Sequence, residues 1–543
     1  MHTLPFNALY WLLALCPIVV VLILMIGFRW GGSKAGPVGW LTAVVVSLAF
    51  FGTTPGLLAY SQLKGLLLTF YVLYIIWMAL VLYNVVNEAG AITVIGHAIS
   101  RLTGDRVMQL LILSWVFSAF LQGVAGFGVP IAVVAPLLIG LGFEPVTAVV
   151  ATAIGHSWSV TFGDIASSFQ ALIAATGLGG LELAPWSALF LGLACFGCGL
   201  AAAHAHDGLK GLRHGLPAIL IVGSLMSGTQ YLLATNGLWN LAGFVAGLVG
   251  LLAGAVVARL PLYRAPPQSP PTLRPRSGQA LGGKFRSASA TSTAAGDEGR
   301  LSLPLALAPY LLLIVLVTAA ELYGPLHEFL NSVVIRIRFP ELRTAYGWIT
   351  EAGTGRTISI FGHAGALLAY TSVIGYFLYR RSGHYCAEIL RRIAANTLRS
   401  AVPSSIGIAS LVGMALVMDH SGMTYFLAQG ISQSVGTAFP FFSPLIGVLG
   451  AFMTGSNTNS NVIFAPLQKQ AAELIGISVF IILAAQTTGG SLGSMLAPAK
   501  IIVGCSTAGL AGREGEVLKR TLLPGLLIAA CVGVVAWLVI YLM

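Results

Sequence analysis

The chain has 543 residues, 57% of them hydrophobic and only 8% charged, against about 25% charged in an ordinary soluble domain. A water-soluble globule of this composition would expose too much apolar surface, and an outer-membrane barrel is excluded because the apolar stretches are long and continuous and do not alternate. The formal net charge of +11 does not point to nucleic acid, because the basic residues lie in alternate loops.

From the N-terminus, the apolar run 8–28 has no basic segment before it and no small-residue cleavage site after it, so it reads as a retained helix and not a signal peptide. Further spans near the roughly 20 residues that cross a bilayer are predicted at 38–58, 65–86, 145–177, 185–204, 216–233, 238–258, 304–323, 357–379, 401–418, 477–511 and 522–542. Two other apolar stretches, 107–141 and 440–475, are predicted as re-entrant hairpins, entering and leaving on one side. The basic loops then fall in phase: Arg29 and Lys34, Arg101 and Arg106, Lys210 and Arg213, the 259–303 segment, Arg380 to Arg399, and Arg513, Lys519 and Arg520. The positive-inside rule makes all of these cytoplasmic and puts both termini outside. The 324–356 loop, assigned outside, runs against the pattern with Arg336, Arg338, Arg343 and Arg356, partly offset by Glu328, Glu341 and Glu351.

Residues 264–300 are rich in Pro, Ser, Gly and Ala and cannot bury enough apolar area to fold. The expected organisation is a first transmembrane half at 1–258, a disordered basic cytoplasmic linker at 259–303 and a second transmembrane half at 304–543. The halves resemble each other. Gly90 recurs as Gly422 and Gly123 as Gly455, both 332 residues on, and Ala135-Pro-Leu137 recurs as Ala465-Pro-Leu467, 330 on. Because the span 65–86 runs inward and its counterpart 401–418 runs outward, the repeats are predicted to be inverted, an arrangement common in secondary transporters. The fold class expected is therefore an all-α polytopic membrane protein with about twelve transmembrane helices plus two re-entrant hairpins in two inverted repeats.

The chemistry is expected at four interruptions. The first hairpin breaks at Gly123-Val-Ala-Gly-Phe-Gly-Val-Pro130, where glycines permit close backbone approach and the free amides suit an anion; a Gly-rich helix-packing site is the other reading of this segment. The second breaks at Gly455-Ser-Asn-Thr-Asn-Ser-Asn461, more polar side chains than a helix cap needs. Irregular polar backbone at this depth lines a watery cavity or is buried in protein. Two further breaks are predicted at 155–164 and 487–494, with Gly163 and Gly493 again 330 apart. Asp164 and His156 are the ionisable groups at membrane depth, where a charge is costly unless paired or hydrated; for His156, a neutral core histidine bonded to backbone is an equal reading. Cys195 and Cys198 form a CxxC, but within a span these read as packing residues, and the six cysteines suggest no disulfide framework.

At these same residues the chain resembles the lactate permease family, whose members take up lactate and glycolate with protons. The similar segments run through 119–130, Gly140-Leu-Gly-Phe143, 454–461 with Phe464 and Leu467-Gln468, and Thr487-Thr-Gly-Gly490 on to Gly509-Leu-Ala-Gly-Arg-Glu514. There are departures: the family usually has a glutamate at Gln122, an aspartate at Asn457 and Asn-Thr-Ala-Pro in place of Gly155-His-Ser-Trp158, and it tends to have glutamine at Lys500. The polar second tip also resembles divalent-anion and sodium symporters, an architectural analogy only.

The resemblance implies a proton-coupled permease for lactate, glycolate or a similar 2-hydroxy acid, in a bacterial inner membrane, with no cofactor and no metal site. The substrate carboxylate is expected between the tips, on backbone amides near Gly126 and Gly128 and on Ser456, Asn457, Thr458, Asn459 and Ser491, with Asp164 and His156 as coupling residues. A sodium-coupled carboxylate carrier is the alternative, since the amide and hydroxyl oxygens of 456–461 can coordinate Na⁺ without a titrating acid. An intramembrane enzyme using His156 and Asp164 fits less well, because it leaves the duplicated tips unexplained. The partners are thus the substrate, a proton or sodium ion and the lipid bilayer, without nucleic acid; a homodimer is compatible with the sequence, which sets no oligomeric state.

Replacing 266–298 by a Gly/Ser linker of comparable reach is expected to leave transport at the parent level, because the segment has neither apolar periodicity nor a chemical motif. Loss of uptake at unchanged membrane abundance would show a regulatory tether.

Overall fold

In the computed structural model, the described residues are 4–28, 30–124, 126, 128–264, 301–354, 357–385, 388–510 and 513–542. Most of the expected linker, 265–300, lies outside them. Twenty-one α-helical segments follow in chain order. The first half contains α1 (Ala8–Leu22), α2 (Gly32–Phe50), α3 (Pro55–Glu88), α4 (Ala91–Ser100), α5 (Arg106–Leu110), α6 (Ser118–Val124), α7 (Val129–Gly140), α8 (Pro145–Gly155), α9 (Gly163–Thr176), α10 (Gly180–Thr235) and α11 (Trp239–Val257). The second contains α12 (Leu303–Leu322), α13 (Gly324–Leu330), α14 (Ala364–Arg381), α15 (Ile389–His420), α16 (Met423–Val435), α17 (Phe439–Thr454), α18 (Asn457–Ile475), α19 (Val479–Gly493), α20 (Pro498–Thr507) and α21 (Glu514–Leu542). Among the described residues 11 helices are long and apolar enough to cross a membrane.

Several boundaries differ from expectation for local reasons. The span 38–58 is cut at 51–54, where Pro55 starts a new helix capped by Thr54. The spans 185–204 and 216–233 lie on one long α10, bent at Asp207 and Gly208. The span expected from 357 begins only at Ala364, because 358–359 are in a strand. In the stretch 107–141 the helices on the two sides of the break are unequal: a π-helical segment, Leu111–Phe117, joins α5 to α6 into the unbroken 19 residues Arg106–Val124, whereas α7 has 12.

The chain is not purely helical. Six two-residue strands, β1 (Val334–Ile335), β2 (Arg338–Phe339), β3 (Leu342–Arg343), β4 (Ile349–Thr350), β5 (Gly353–Thr354) and β6 (Ile358–Ser359), pair as nested antiparallel couples β1–β6, β2–β5 and β3–β4. The 324–356 region is thus largely a β-hairpin. It is docked: the Ala345 amide donates to the Gly52 carbonyl (2.8 Å), Phe339 meets Tyr60 edge-on (4.9 Å between centroids) and Trp348 packs on Tyr425 (5.3 Å). All three partners belong to segments the charge pattern assigns outside. At the opposite end, Asp105 pairs with His214 (2.8 Å), Glu88 with Arg392 (3.7 Å) and Glu144 with Arg520 (3.9 Å), all from segments assigned inside. Helix α3 runs from Tyr60 in the first cluster to Glu88 in the second, a distance of about 40 Å at ~1.5 Å per residue.

Helix pairings repeat when the halves are exchanged. As α2 packs on α15, α14 packs on α3; α1 meets α16 as α12 meets α4; α9 meets α18 as α20 meets α7; and α10 meets α19 as α21 meets α8. The interior is formed by the 106–124 arm, α8, α9 and α17–α19, while α1, α2, α12 and α21 keep most of their surface outward. Small residues let these inner helices touch backbone to backbone, the usual way helices associate in lipid. A Cβ on Gly447 would strike the Gln486 carbonyl, one on Gly489 the Pro444 carbonyl, and one on Gly493 would lie 2.6 Å from the Val448 carbonyl.

Gly489→Val is therefore expected to cost at least about 1–3 kcal/mol through overpacking against fixed backbone, seen as a fall in melting temperature and in monodisperse yield from detergent. Gly140→Ala, with open space around the added methyl, should stay within about 0.5 kcal/mol of the parent.

Candidate functional site

Helix termini leave amides and carbonyls without partners in their own helix, and four such termini meet in the interior. Before α7, Gly128 turns the chain with φ +85°, and Pro130 sits in the first turn. Between α17 and α18, Gly455 does the same with φ +74°, and Ser456 caps α18 through the Asn459 amide (3.5 Å). The expected irregular stretch 455–461 is thus only two residues long; its Asn and Ser side chains lie on the first turns of α18. Both tips reach the start of α20. A Cβ on Gly128 would stand 3.8 Å from Lys500 Cγ, and one on Gly455 3.7 Å from Ala499 Cβ.

The interrupted helices cross beside them. In the first half the interruption runs from His156, through the 3₁₀ turn Ser157–Ser159, to Ala166, as expected. In the second it falls later than expected: α19 stays helical through Gly493 and only 494–497 leave the helix. The two are joined reciprocally. Thr161 Oγ1 donates to the Thr487 carbonyl (3.0 Å), and Ser491 Oγ donates to the Ser157 carbonyl (2.6 Å). Thr161 and Ser491 stand 330 residues apart, as do Ser157 and Thr487, so each half gives the other the same hydroxyl-to-carbonyl bond. The Thr161 amide also donates to Ser491 Oγ (3.3 Å).

The polar face of α18 closes over this crossing. Asn457 Nδ2 donates to Thr161 Oγ1 (3.0 Å), Asn461 Nδ2 to the Ser168 carbonyl and to Thr487 Oγ1 (2.9 Å each), and Thr458 shares a hydrogen bond with Ser168 (3.1 Å). The amide nitrogens of Asn457 and Asn461 are used, but the side-chain carbonyl oxygens of Asn457, Asn459 and Asn461 are buried without a partner among the described residues. An unpaired buried acceptor costs roughly 1–3 kcal/mol, so three together form a surface that calls for a donor.

Asp164, Ile165 and Ala166 all adopt left-handed backbone, with φ of 50°, 51° and 58°. Each costs about 1–2 kcal/mol for a residue with a side chain, and such strain persists where packing over-determines it. It places the Asp164 carboxylate, 5% exposed, against the first tip: the Gly126 amide donates to it, and Ser167 Oγ donates to Oδ2 (3.3 Å), while Oδ1 has no partner among the described residues. Gln122 faces the same tip, with Nε2 3.3 Å from where a Gly126 Cβ would be. His156, 0% exposed, lies 2.9 Å through Nδ1 from the Thr152 carbonyl. A carbonyl only accepts, so Nδ1 carries the proton, and Nε2, unpartnered among the described residues, is the open acceptor of the neutral ring.

The structure thus gathers Gly126, Gly128, Ser456, Asn457, Thr458, Asn459, Ser491, His156 and Asp164 in one buried region. Ser491 differs from the rest: its hydroxyl already both donates and accepts across the crossing. Thr161, Ser168, Thr487 and Asn461 belong to the same network and were not singled out as site residues from sequence. For Thr161 the signal was present, as the counterpart of Ser491 at the 330-residue offset. Cys195 and Cys198 are free and buried in the apolar core, in keeping with a packing role.

Comparison with known proteins identifies relatives of this chain. The family model described as L-lactate permease matches residues 10–543. Among curated relatives, the glycolate permease GlcA of Escherichia coli is 27% identical over 547 residues, covering 98% of this chain and 95% of that protein. The L-lactate permease of the same organism is 27% identical over 550 residues, with coverage of 98% and 96%. The L-lactate permease of Halalkalibacterium halodurans is 30% identical over 520 residues, covering 94% and 93%. Among solved structures, the YdaH transporter of Alcanivorax borkumensis aligns with a TM-score of 0.44 and 15% identity over 86% of this chain and 85% of that one.

Thr161→Val keeps the side-chain shape but removes the hydroxyl that serves both Asn457 and the Thr487 carbonyl. It is expected to cost roughly 1–3 kcal/mol, read as a lower melting temperature in detergent. A variant as stable as the parent would show that the crossing does not depend on this bridge.

Proposed function

Because the chain belongs to the L-lactate permease family, we propose that it is a secondary active carrier that takes up lactate, glycolate or a related small 2-hydroxy monocarboxylate together with protons. It is a permease and not an enzyme, a multi-pass protein of the bacterial plasma membrane. In this reading the two halves are inverted repeats, and the segments 107–141 and 440–475 are re-entrant hairpins. The exchange pattern of helix pairings and the reciprocal Thr161–Thr487 and Ser491–Ser157 bonds support that arrangement.

One observation carries the mechanism: the Gly126 amide at the first tip already holds a carboxylate, that of Asp164. The tip is therefore built for the group that the substrate presents. A hydrogen bond to an ionised acceptor is about twice as strong as one to a neutral acceptor, so protonation of Asp164 loosens its hold on this amide. A substrate carboxylate can then take the amides at Gly126 and Gly128, while its hydroxyl donates to the open oxygens of Asn457 or Asn459. Ser456 and Thr458 border the same space, and Ser491 keeps the crossing closed behind it. Proton and substrate anion thus bind together, and His156, with Nε2 open, relays the proton. Gln122 and Asn457 cannot titrate, which leaves coupling to Asp164.

Reconstituted protein is expected to accumulate labelled lactate or glycolate under an inward proton gradient and not under a sodium gradient at fixed pH. Asp164→Asn should still exchange labelled for unlabelled substrate, yet fail to accumulate it. Accumulation by this variant equal to the parent's would remove Asp164 from coupling, and uptake that follows sodium would replace the proton with Na⁺.

A further inference from the structure

We propose that the Lys500 ammonium is the anchor for the substrate carboxylate, so that this chain carries a fixed counter-charge for its cargo on the second interrupted helix. The inference rests on the carboxylate-transport reading and adds the group that selects for charge.

Lys500 is the third residue of α20 and only 6% exposed. Its side chain passes the first tip at Gly128, while the adjacent Ala499 touches the second tip at Gly455. The Asp164 carboxylate lies against the same tip at Gly126. Yet no hydrogen bond, and no ion pair within 4.0 Å, joins the Lys500 ammonium to another side chain or backbone group among the described residues. Other partly buried cations are all satisfied: Lys64 by His420 (3.3 Å), Lys469 by the Thr176 carbonyl (3.0 Å) and Arg106 by the Leu141 carbonyl (2.7 Å).

The repeat supplies an internal control. Gln170 stands 330 residues before Lys500, at the corresponding place on α9. It is fully engaged, accepting from Tyr71 (2.6 Å) and donating to Asn240 (3.1 Å). A polar group that only stabilises this position therefore comes with partners, and Lys500 does not. A mere counter-ion for Asp164 would close to contact, since an uncompensated buried charge is costly. Instead Asp164 spends Oδ2 on Ser167, accepts from Gly126 and leaves Oδ1 open. Among the described residues the region offers one unpaired cation and several unpaired acceptors, namely Asp164 Oδ1, His156 Nε2 and the Asn457 and Asn459 oxygens. A small molecule with a carboxylate and an adjacent hydroxyl satisfies both kinds of group, and an uncharged one does not.

The test uses purified full-length protein in detergent and the shift in melting temperature on titrating lactate, its uncharged amide lactamide, acetate and succinate, because a ligand of the folded state raises that temperature in proportion to its binding. The parent is expected to bind lactate about tenfold or more tighter than lactamide, as a charge-assisted bond requires. Lys500→Gln, which puts the residue of the repeat position there, should lose the preference for the charged ligand; Lys500→Arg should retain it. A Lys500→Gln variant with the parent's affinity and preference overturns the proposal and leaves the transport reading intact. A parent that does not separate lactate from lactamide overturns it as well, even if the glutamine variant does not fold. If acetate or succinate outbinds lactate and Lys500 governs that preference, the anchor stands and the 2-hydroxy acid reading falls. If none of the carboxylates binds, both fall.

Discussion

A helix that stops inside a bilayer leaves carbonyls and amides that lipid cannot satisfy. This chain stops helices in its interior, and the first interruption is bridged to the helix α19 of the second half: Thr161 donates to the Thr487 carbonyl, and Ser491 caps the Ser157 carbonyl. The bridge fixes the crossing of α8–α9 with α19, and that crossing sets where α18 can lay its asparagines. The carbonyl at Ser157 is thus met by a hydroxyl from the other half.

Close approach holds each interrupted helix within its own half. The glycines at 447, 489 and 493 let α17 and α19 meet at backbone distance, and Gly155 does the same for α8 against the 106–124 segment, where a Cβ would strike the Ser114 carbonyl. The same economy explains the strained turn at 164–166. Three left-handed residues in a row are unfavourable locally, but they bring a carboxylate against the first tip at Gly126 and start the next helix beyond it.

The charges outside the interior do different work. Ion pairs at one end of α3 tie Glu88, Asp105 and Glu144 to the basic segments of other helices, while at the other end a β-hairpin spans the turn at Gly52 and the segment around Tyr425. Arg336, Arg338 and Arg343 run against the charge rule because they belong to this folded hairpin. Arg343 pairs with Glu341 at its edge (2.8 Å), and a docked hairpin tolerates charges that a short connecting loop would not carry.

Composition by itself determined that the chain crosses a membrane many times, because lipid admits no other use for so many long apolar runs. The repeated offset and the glycine- and asparagine-rich interruptions raised the expectation of two related halves and of a site at the interruptions; Thr161, 330 residues before Ser491, was not singled out. Helix ends were less legible: 38–58 and 357–379 read as apolar runs, but Pro55 and the strand at 358–359 end or delay the helix through capping and pairing that hydropathy does not register. The polar run 457–461 read as irregular backbone and is helical, with the Asn457 and Asn461 nitrogens and the Thr458 hydroxyl bonded to Thr161, Ser168 and Thr487. Only tertiary structure decided which polar groups are consumed and which stay open. Sequence offered Ser491 as a binding residue and Lys500 only as a departure from the family; packing brings Ser491 against a backbone carbonyl 2.6 Å away and leaves Lys500 beside the first tip with no hydrogen bond among the described residues.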